Sequence, residues 1–353
     1  MKNKRKNPPK IIEFRREDAS KLAELFNSFD EEGLWPGGFT GGVPYTAERV
    51  LDSFPIGVRS ICILIATHKD KFTGICTVHP HYEDAEAAYV GVLGVHPKYL
   101  GQGHGKALLL KALQEASKRN LRRVDLNTWA GNLRAVPLYK KCGMFWVPET
   151  SVAMEDYIPG ILSLPYAQEF FKKHDWYTSQ KRTLQLTPDA FKVGEMEVYP
   201  YEFSEGNDHL TVWVDRYGKG ISGIEQTVEG RHLRIACKLE NHKVITGLPQ
   251  VLTIEIQNDS NTLLDGSMFL TAFEGLRFTT STQQAFRVQH NTSTTLTAQF
   301  TVNADIDVPE ISRKQKSIQV NLIVNGKLFP LEVGLRILPL LTFTTHPENI
   351  TVA

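Results

Sequence analysis

The chain has 353 residues, with 40 Lys and Arg against 39 Asp and Glu, for a net charge of +1. That length calls for two domains, and the charge balance supplies no global field that would steer the chain to nucleic acid or an anionic lipid surface. Apolar residues make up 41% and charged residues 22%, as in a globular protein with real cores. No apolar run approaches the roughly 18 residues a membrane span needs.

Residues 1–10 are basic and carry no apolar stretch of the kind a secretion signal uses, so a disordered tail and a cytoplasmic location are expected. Cys62, Cys76, Cys142 and Cys237 form no CxxC pair and lie near no His at zinc-ligand spacing. Buried thiols are expected, with no disulfide framework and no metal site.

Residues 11–187 mix helical and strand patterns. A helix begins near Asp18. Strands are expected at Ile61–Ala66, Gly74–Val78 and Ala88–Val95. A glycine-rich turn leads into a helix from Lys106 to Lys118, whose apolar stripe is Ala107, Leu108, Ala112, Leu113 and Ala116. A strand at Arg123–Thr128, a short helix at Ala135–Lys141, a helix at Tyr166–Lys173 and a strand at Lys181–Leu186 follow. Strands alternating with helices indicate an α+β or α/β domain. Pro188, Gly194, Pro200 and Gly206 mark residues 188–206 as a linker.

From 207 to 353 the helical signal disappears. Leu233, Ile235, Cys237 and Leu239 alternate with polar residues, as do Leu252, Ile254 and Ile256. The same holds for Leu296 to Val302, Ile318 to Val324 and Phe329 to Ile337. Asn325-Gly326 between the last two runs is a strong hairpin turn, because both residues accept positive φ. Closely spaced half-buried strands without helices predict an antiparallel, immunoglobulin-like β-sandwich. Its expected role is an interaction module for a protein or glycan, or the contact surface of a homodimer.

The stretch from Val92 to Leu109 carries the chemistry. A strand runs into a turn with glycines at 101, 103 and 105, and a helix leaves at once. Converging backbone N–H groups and a helix N-terminus bind phosphates without basic side chains. A Walker loop would need Gly at 100 and Ser or Thr at 107, where the chain has Leu100 and Ala107. A dinucleotide fingerprint would need Gly at 106, where it has Lys106.

Val95-His-Pro97, the turn Leu100-Gly-Gln-Gly-His-Gly105 and the helix starting Lys106-Ala-Leu-Leu resemble the pyrophosphate loop of the GNAT N-acetyltransferases. Leu100 stands where Arg or Gln is usual. Asn127 to Phe145, with Asn132, Ala135, Leu138-Tyr139 and Gly143, resembles that family's second motif. The resemblance covers roughly residues 11–187. It implies a mixed sheet with flanking helices, acetyl-CoA as co-substrate and a small-molecule or peptide amine as acceptor. It further implies cofactor contacts from the main chain of Leu93 and Val95, from Leu100, Gly101, Gln102, Gly103, His104, Gly105 and Lys106, and from Asn132, with helix capping as the alternative role of Asn132. Tyr139 would be the general acid toward the leaving thiolate.

Family members often carry Glu four residues before the Val of Val-x-Pro, and here that position is Gly91. His81, Glu83 and Glu86 remain as base candidates, or an amine that needs none. Asp30, Glu31 and Glu32 beside Trp35, Phe39 and Tyr45 suggest an acceptor loop for a cationic or amphipathic amine, closing as a lid. The competing reading is a non-catalytic acyl-CoA-binding or sensing protein.

Overall fold

The computed structural model describes residues 8–340 apart from 34, 36–37, 54–59, 151, 183–190, 242 and 307–314. The chain divides into two units, residues 1–189 with 201–206, and residues 190–200 with 207–353. The first unit runs β1 (Lys10–Glu13), α1 (Ala19–Asn27), α2 (Ala47–Ser53), β2 (Cys62–His68), β3 (Lys71–Pro80), β4 (Ala87–Val95), α3 (His104–Lys118), β5 (Arg123–Asn127) and α4 (Val136–Cys142). It continues with β6 (Phe145–Trp146), β7 (Ala153–Asp156), α5 (Ile158–Ser163), α6 (Ala167–Phe171), α7 (Trp176–Ser179) and β8 (Gln180–Lys181).

Its main sheet has the order β1-β2-β3-β4-β5-β7-β6. Every pairing is antiparallel except β4 with β5. The mixed sheet with flanking helices matches the expectation. The α3 stripe differs by one position: Leu108, Leu109, Ala112, Leu113 and Ala116 are buried, and Ala107 is only half-buried. Strand β1, helix α2 and the β6–β7 hairpin have too few apolar residues to have been read from periodicity. Lys10 pairs with Thr67, so the strand reaches into the segment expected as a tail.

Opposite faces of β3 and β4 carry the two helical layers. Gly74 and Gly94 each leave room for one neighbour. A Cβ at Gly94 would stand 2.5 Å from Cζ of Phe29, and one at Gly74 would stand 3.0 Å from Cδ1 of Leu108. Gly94 is paired with Ile75 and Gly74 with Val95, adjacent rungs whose side chains point to opposite faces. Phe29 therefore lies on one face with the α1 core, and α3 lies on the other.

A charged cluster is buried where β4 and β5 begin. Arg123 is fully buried, with Nε 2.7 Å from Oδ1 of Asp125 and Nη1 3.1 Å from Oδ2 of Asp84. Arg122 Nη2 lies 3.2 Å from the same Asp84 oxygen, and Nε2 of His81 lies 3.3 Å from Oδ2 of Asp125. Removing one member of such a set typically costs about 3–5 kcal/mol, because it strands the opposing charge.

The second unit takes β9 (Phe191–Val193) and the first part of β10 (Met196–Glu205). It then runs β11 (Asp208–Asp215), β12 (Ile221–Val228), β13 (Arg231–Leu239), β14 (Lys243–Ile245), β15 (Gln250–Asn258), β16 (Leu264–Ala272), β17 (Leu276–Phe278), β18 (Gln283–Val288), β19 (Thr292–Val302), β20 (Lys316–Val324) and β21 (Lys327–Leu338). One sheet runs β17-β19-β15-β13-β12-β11 and the other β14-β21-β20-β16-β18. The expected alternation is present, with Leu252, Ile254 and Ile256 buried and their sequence neighbours half-buried. Asn325 and Gly326 adopt φ of +49° and +79° at the β20–β21 hairpin. One pairing departs from the antiparallel expectation, since β14 runs parallel to β21. Cys237 is the one cysteine in this unit, so the inter-sheet disulfide of antibody domains has no counterpart.

The segment expected as a linker, residues 188–206, contains β9 and β10, and the division falls within β10. Tyr201 and Phe203 belong to the first unit. The Tyr201 hydroxyl accepts from the Tyr157 N–H at 2.9 Å and lies 3.4 Å from Oδ1 of Asp156. The expected strand Lys181–Leu186 lies mostly outside the described residues.

Asp156 is fully buried, and burial pushes its carboxyl up to about 7 against the bonds from the Ile158 N–H and Tyr201. A carboxyl whose folded pKa is raised costs the fold stability as pH climbs from about 4 to about 7, and that cost then stays constant. The Asp156→Asn variant lacks the penalty. Its stability relative to the parent should rise by roughly 2–3 kcal/mol between pH 5 and pH 8. Urea unfolding at both pH values checks this, and an unchanged difference would contradict it.

Candidate functional site

β4 pairs with β5 only over Ala87–Val90, opposite Arg123–Leu126. Beyond Val90 the strands diverge, and the β5-facing edge of β4 has no strand partner among the described residues. A cleft of about 490 Å³ fills the gap, within the usual range for small-molecule sites. Val90 and Leu126 lie where the strands part. Tyr139 of α4 lines the cleft, as do Phe29 and Trp35 of the α1 aromatic cluster. Leu93, Val95 and Leu100 also line it.

The cleft edge continues through a 3-10 turn at Pro97–Tyr99 into the glycine turn. Gly101 and Gly103 have φ of +69° and +89°, and a Cβ at either would meet nothing within 4 Å. Gly103 is the N-cap of α3, whose 15 residues start at His104. The first-turn N–H groups of an α-helix have no internal partner and carry the positive end of the dipole. This turn is therefore an open, side-chain-free cradle for an anion.

Other residues of the loop are occupied differently. His104 is buried, with Nδ1 2.7 Å from the Thr73 hydroxyl. Gly105 is a packing glycine, because a Cβ there would lie 3.1 Å from Cδ2 of Leu138. Gln102 donates to the Lys98 carbonyl at 2.7 Å. The Lys106 ammonium lies 4.0 Å from the Tyr177 ring centroid, and Arg182 sits 3.9 Å from the same ring. These side chains hold the turn and its helix, which leaves the main chain to meet a ligand.

Asn132 lines the cleft, but its amide is used locally. Oδ1 accepts from the Ala135 N–H at 3.1 Å, just ahead of α4, and Nδ2 donates to the Thr128 hydroxyl at 3.1 Å. These bonds close the turn that leads into α4, whose N-cap is Ala135. Helix α4 ends at Gly143, with φ +109°, where the chain turns toward β6.

Tyr139 is 7% exposed, and burial pushes its phenol up to about 12, with Cys76 and Tyr89 adding to the effect. The four thiols are buried and free, and burial raises each. No Asp, Glu, His, Lys or Cys is among the described residues that line the cleft, and Arg134 is the charged side chain there.

The acceptor loop is not the solvated lid expected. Phe39 and Tyr45 pack on Phe26, and Trp35 stacks on Phe29 with centroids 5.8 Å apart. The Asp30 carboxylate takes the N–H groups of Phe39 and Thr40 and the Thr40 hydroxyl, and the hydroxyl bond leads the effects that hold it below the usual carboxylate range. It clasps its own loop while remaining exposed. The base candidates fare no better. His81 is tied to Asp125 in the buried cluster, while Glu83 and Glu86 are exposed and outside the cleft lining.

Residues 27–144 match the model of the acetyltransferase (GNAT) family. The matched segment contains both motifs and most of the cleft. Solved structures similar to the chain include the ribosomal-protein-S18-alanine N-acetyltransferase from Escherichia coli, at 19% identity over 42% of this chain and 93% of that one, TM-score 0.33. The PaiA N-acetyltransferase from Thermoplasma acidophilum, in complex with coenzyme A, is similar at 20% identity over 42% and 98%, TM-score 0.34. The putative acetyltransferase YncA from Salmonella typhimurium, with acetyl-CoA, is similar at 16% identity over 43% and 95%, TM-score 0.34. No curated protein sequence matches the chain. Among the described residues, no helix is long and apolar enough to cross a membrane.

Gly103→Val tests the cradle. It puts a β-branched residue at φ +89° and fills the open space above the turn. Affinity for coenzyme A, measured by calorimetry, should fall at least about tenfold, or ~1.4 kcal/mol, with the circular dichroism spectrum unchanged. Equal affinity in a folded variant would remove the turn from the site.

Proposed function

We propose that the N-terminal unit is an N-acetyltransferase that binds acetyl-CoA in this cleft and passes the acetyl group directly to an amine. One observation carries the reading: beyond Val90 the β5-facing edge of β4, without a strand partner among the described residues, leads through the Pro97–Tyr99 turn to Gly101–Gly103 and the N-terminus of α3. The strand edge offers N–H and C=O groups to the amides of an extended pantetheine arm, as a missing strand would. The turn and helix then receive the pyrophosphate. The family match over residues 27–144 supports the same assignment.

The lining supports direct attack, since its hydroxyls belong to Thr128, which accepts from the Asn132 amide, and to Tyr139, whose phenol burial raises. A covalent acyl-enzyme needs an activated nucleophile, and no Cys, Ser or Lys is among the described residues of the cleft wall. Cys76 and Cys142 are buried thiols with raised pKa values. Holding thioester and amine together in a cleft supplies much of the rate enhancement on its own.

The raised pKa of Tyr139 narrows its role. The phenol keeps its proton at neutral pH. With the phenol pushed up to about 12, transferring that proton fully to a thiolate of lower pKa would be uphill. The Tyr139 hydroxyl instead donates a hydrogen bond to the sulfur as charge develops there. A hydrogen bond to a charged group is worth about 1.5–3 kcal/mol.

The reading of a non-catalytic acyl-CoA binder draws on the absence of any carboxylate at position 91. Thiol release from acetyl-CoA in the presence of amines separates the two, because a sensor binds without turnover. In the active protein, Tyr139→Phe should lower kcat about ten- to hundredfold and leave acetyl-CoA affinity unchanged. A change under threefold, with chemistry rate-limiting, would remove the hydroxyl from the mechanism.

A further inference from the structure

We infer that His79 is the general base of the acetyl transfer, reaching the cleft through the gap left by Gly91. The inference rests on the acetyltransferase reading and adds to it the group that takes the amine proton.

The geometry begins with a bulge. Val78 pairs with Val90 and Thr77 with Val92, so Gly91 is an extra residue in β4. Bulges re-aim side chains next to functional sites. The Val92 N–H donates to the Thr77 hydroxyl at 2.9 Å, which satisfies a group the ladder would otherwise have served. Gly91 is exposed and lines the cleft. A Cβ built on it would lie 3.1 Å from both Cδ2 and Nε2 of His79. The imidazole of β3 thus stands in the space a side chain at 91 would take, with its Nε2 edge toward that position. His79 is half-buried.

The chemistry fits this placement. The cleft lining contributes no carboxylate, imidazole or amine of its own among the described residues; the His79 ring lies behind Gly91, which does line it. A neutral imidazole is a common general base for proton removal. With the ring proton on Nδ1, Nε2 is the acceptor. The lone pair of the neutral amine forms the N–C bond to the thioester carbonyl carbon. The C–S bond breaks with its electron pair on sulfur, and His79 Nε2 takes a proton from the amine nitrogen. The thiolate leaves under the Tyr139 hydroxyl, and the imidazolium returns its proton to solvent. Atoms and charge balance with no further reactant.

The same geometry explains a glycine at 91. Any larger residue would press on the imidazole and on the Thr77 hydroxyl, itself 3.1 Å from the built Cβ.

The test uses the full chain, with acetyl-CoA and either n-butylamine or 2-phenylethylamine, following thiol release. His79→Ala and the closer-sized His79→Gln should each lose about 10²–10⁴-fold in kcat/KM with acetyl-CoA affinity kept. Imidazole added to the buffer should restore a measurable part of the His79→Ala rate. Adding Gly91→Glu to His79→Ala, which removes the ring, leaves only the Thr77 hydroxyl to shift and places a carboxylate there, should raise the rate over His79→Ala alone. Where His79→Ala weakens acetyl-CoA binding, the comparison is made with His79→Gln. A loss under threefold in variants that bind acetyl-CoA overturns the inference. So does a larger loss that neither imidazole nor Gly91→Glu recovers, because that marks a structural role. An unaltered protein that binds acetyl-CoA and acetylates neither amine overturns the acetyltransferase reading, and this inference with it.

Discussion

The site depends on how far β4 and β5 stay together. They share four rungs, Ala87–Val90 with Arg123–Leu126, and then part. The closed end is held by Arg123, fully buried between Asp84 and Asp125, with Glu155 of β7 at 3.9 Å. Asp84 precedes β4, Asp125 sits on β5 and Glu155 on β7, so one guanidinium ties three consecutive parts of the sheet. Desolvation is the largest effect on Asp84 and would raise its pKa, yet Arg122 and Arg123 together outweigh it and hold the carboxyl below its usual range. A cluster of this kind adds little net stability compared with an apolar core, but its directional bonds fix register. The strands are pinned at one end, and the gap at the other is the cleft.

What lines that gap is mostly uncharged, with aliphatic and aromatic side chains and Arg134 as the charged one among the described residues. Burial raises the Tyr139 phenol and the thiols of Cys76 and Cys142. Groups that could have been nucleophiles are thereby kept protonated. Asp30, expected as an acceptor contact, closes its own loop, and His81, expected as a base candidate, completes the buried cluster. The wall left for an acceptor includes Phe29 and Trp35.

The strands of long period-2 alternation were legible in the sequence. Phe329, Leu331, Val333, Leu335 and Ile337 all point inward on β21, as their spacing required. The strand–turn–helix of the phosphate loop was legible too, because glycine punctuation and the helical stripe reinforce each other. Short elements such as β1 and β6 were not, since two to four residues carry no period. The fate of side chains was the least visible part. His104, Gln102 and Lys106 lie in the matching motif, but whether each faces a ligand or the protein depends on Thr73, Lys98 and Tyr177, 4 to 71 positions away. His79 was passed over for the same reason. Its relation to Gly91 exists only through the β3–β4 register and a one-residue bulge.

The glycines show this limit most sharply, because a sequence gives all of them the same letter. Around the cleft they fall into two physical kinds. At Gly91, Gly94 and Gly105 the missing side chain is replaced by a neighbour, respectively the His79 ring, the Phe29 ring and Leu138. These positions bring a chosen group against the backbone, and their ordinary φ would admit another residue if the neighbour withdrew. At Gly101 and Gly103 nothing replaces it: the space is open and φ is positive. An open, left-handed position next to a helix N-terminus is where an external group can approach the backbone. The spacing Gly-x-Gly-x-Gly therefore combines two open positions with one packing position. The division between them tracks helix α3, whose first residue lies between Gly103 and Gly105: before it the chain faces solvent, and within it the chain must pack on α4.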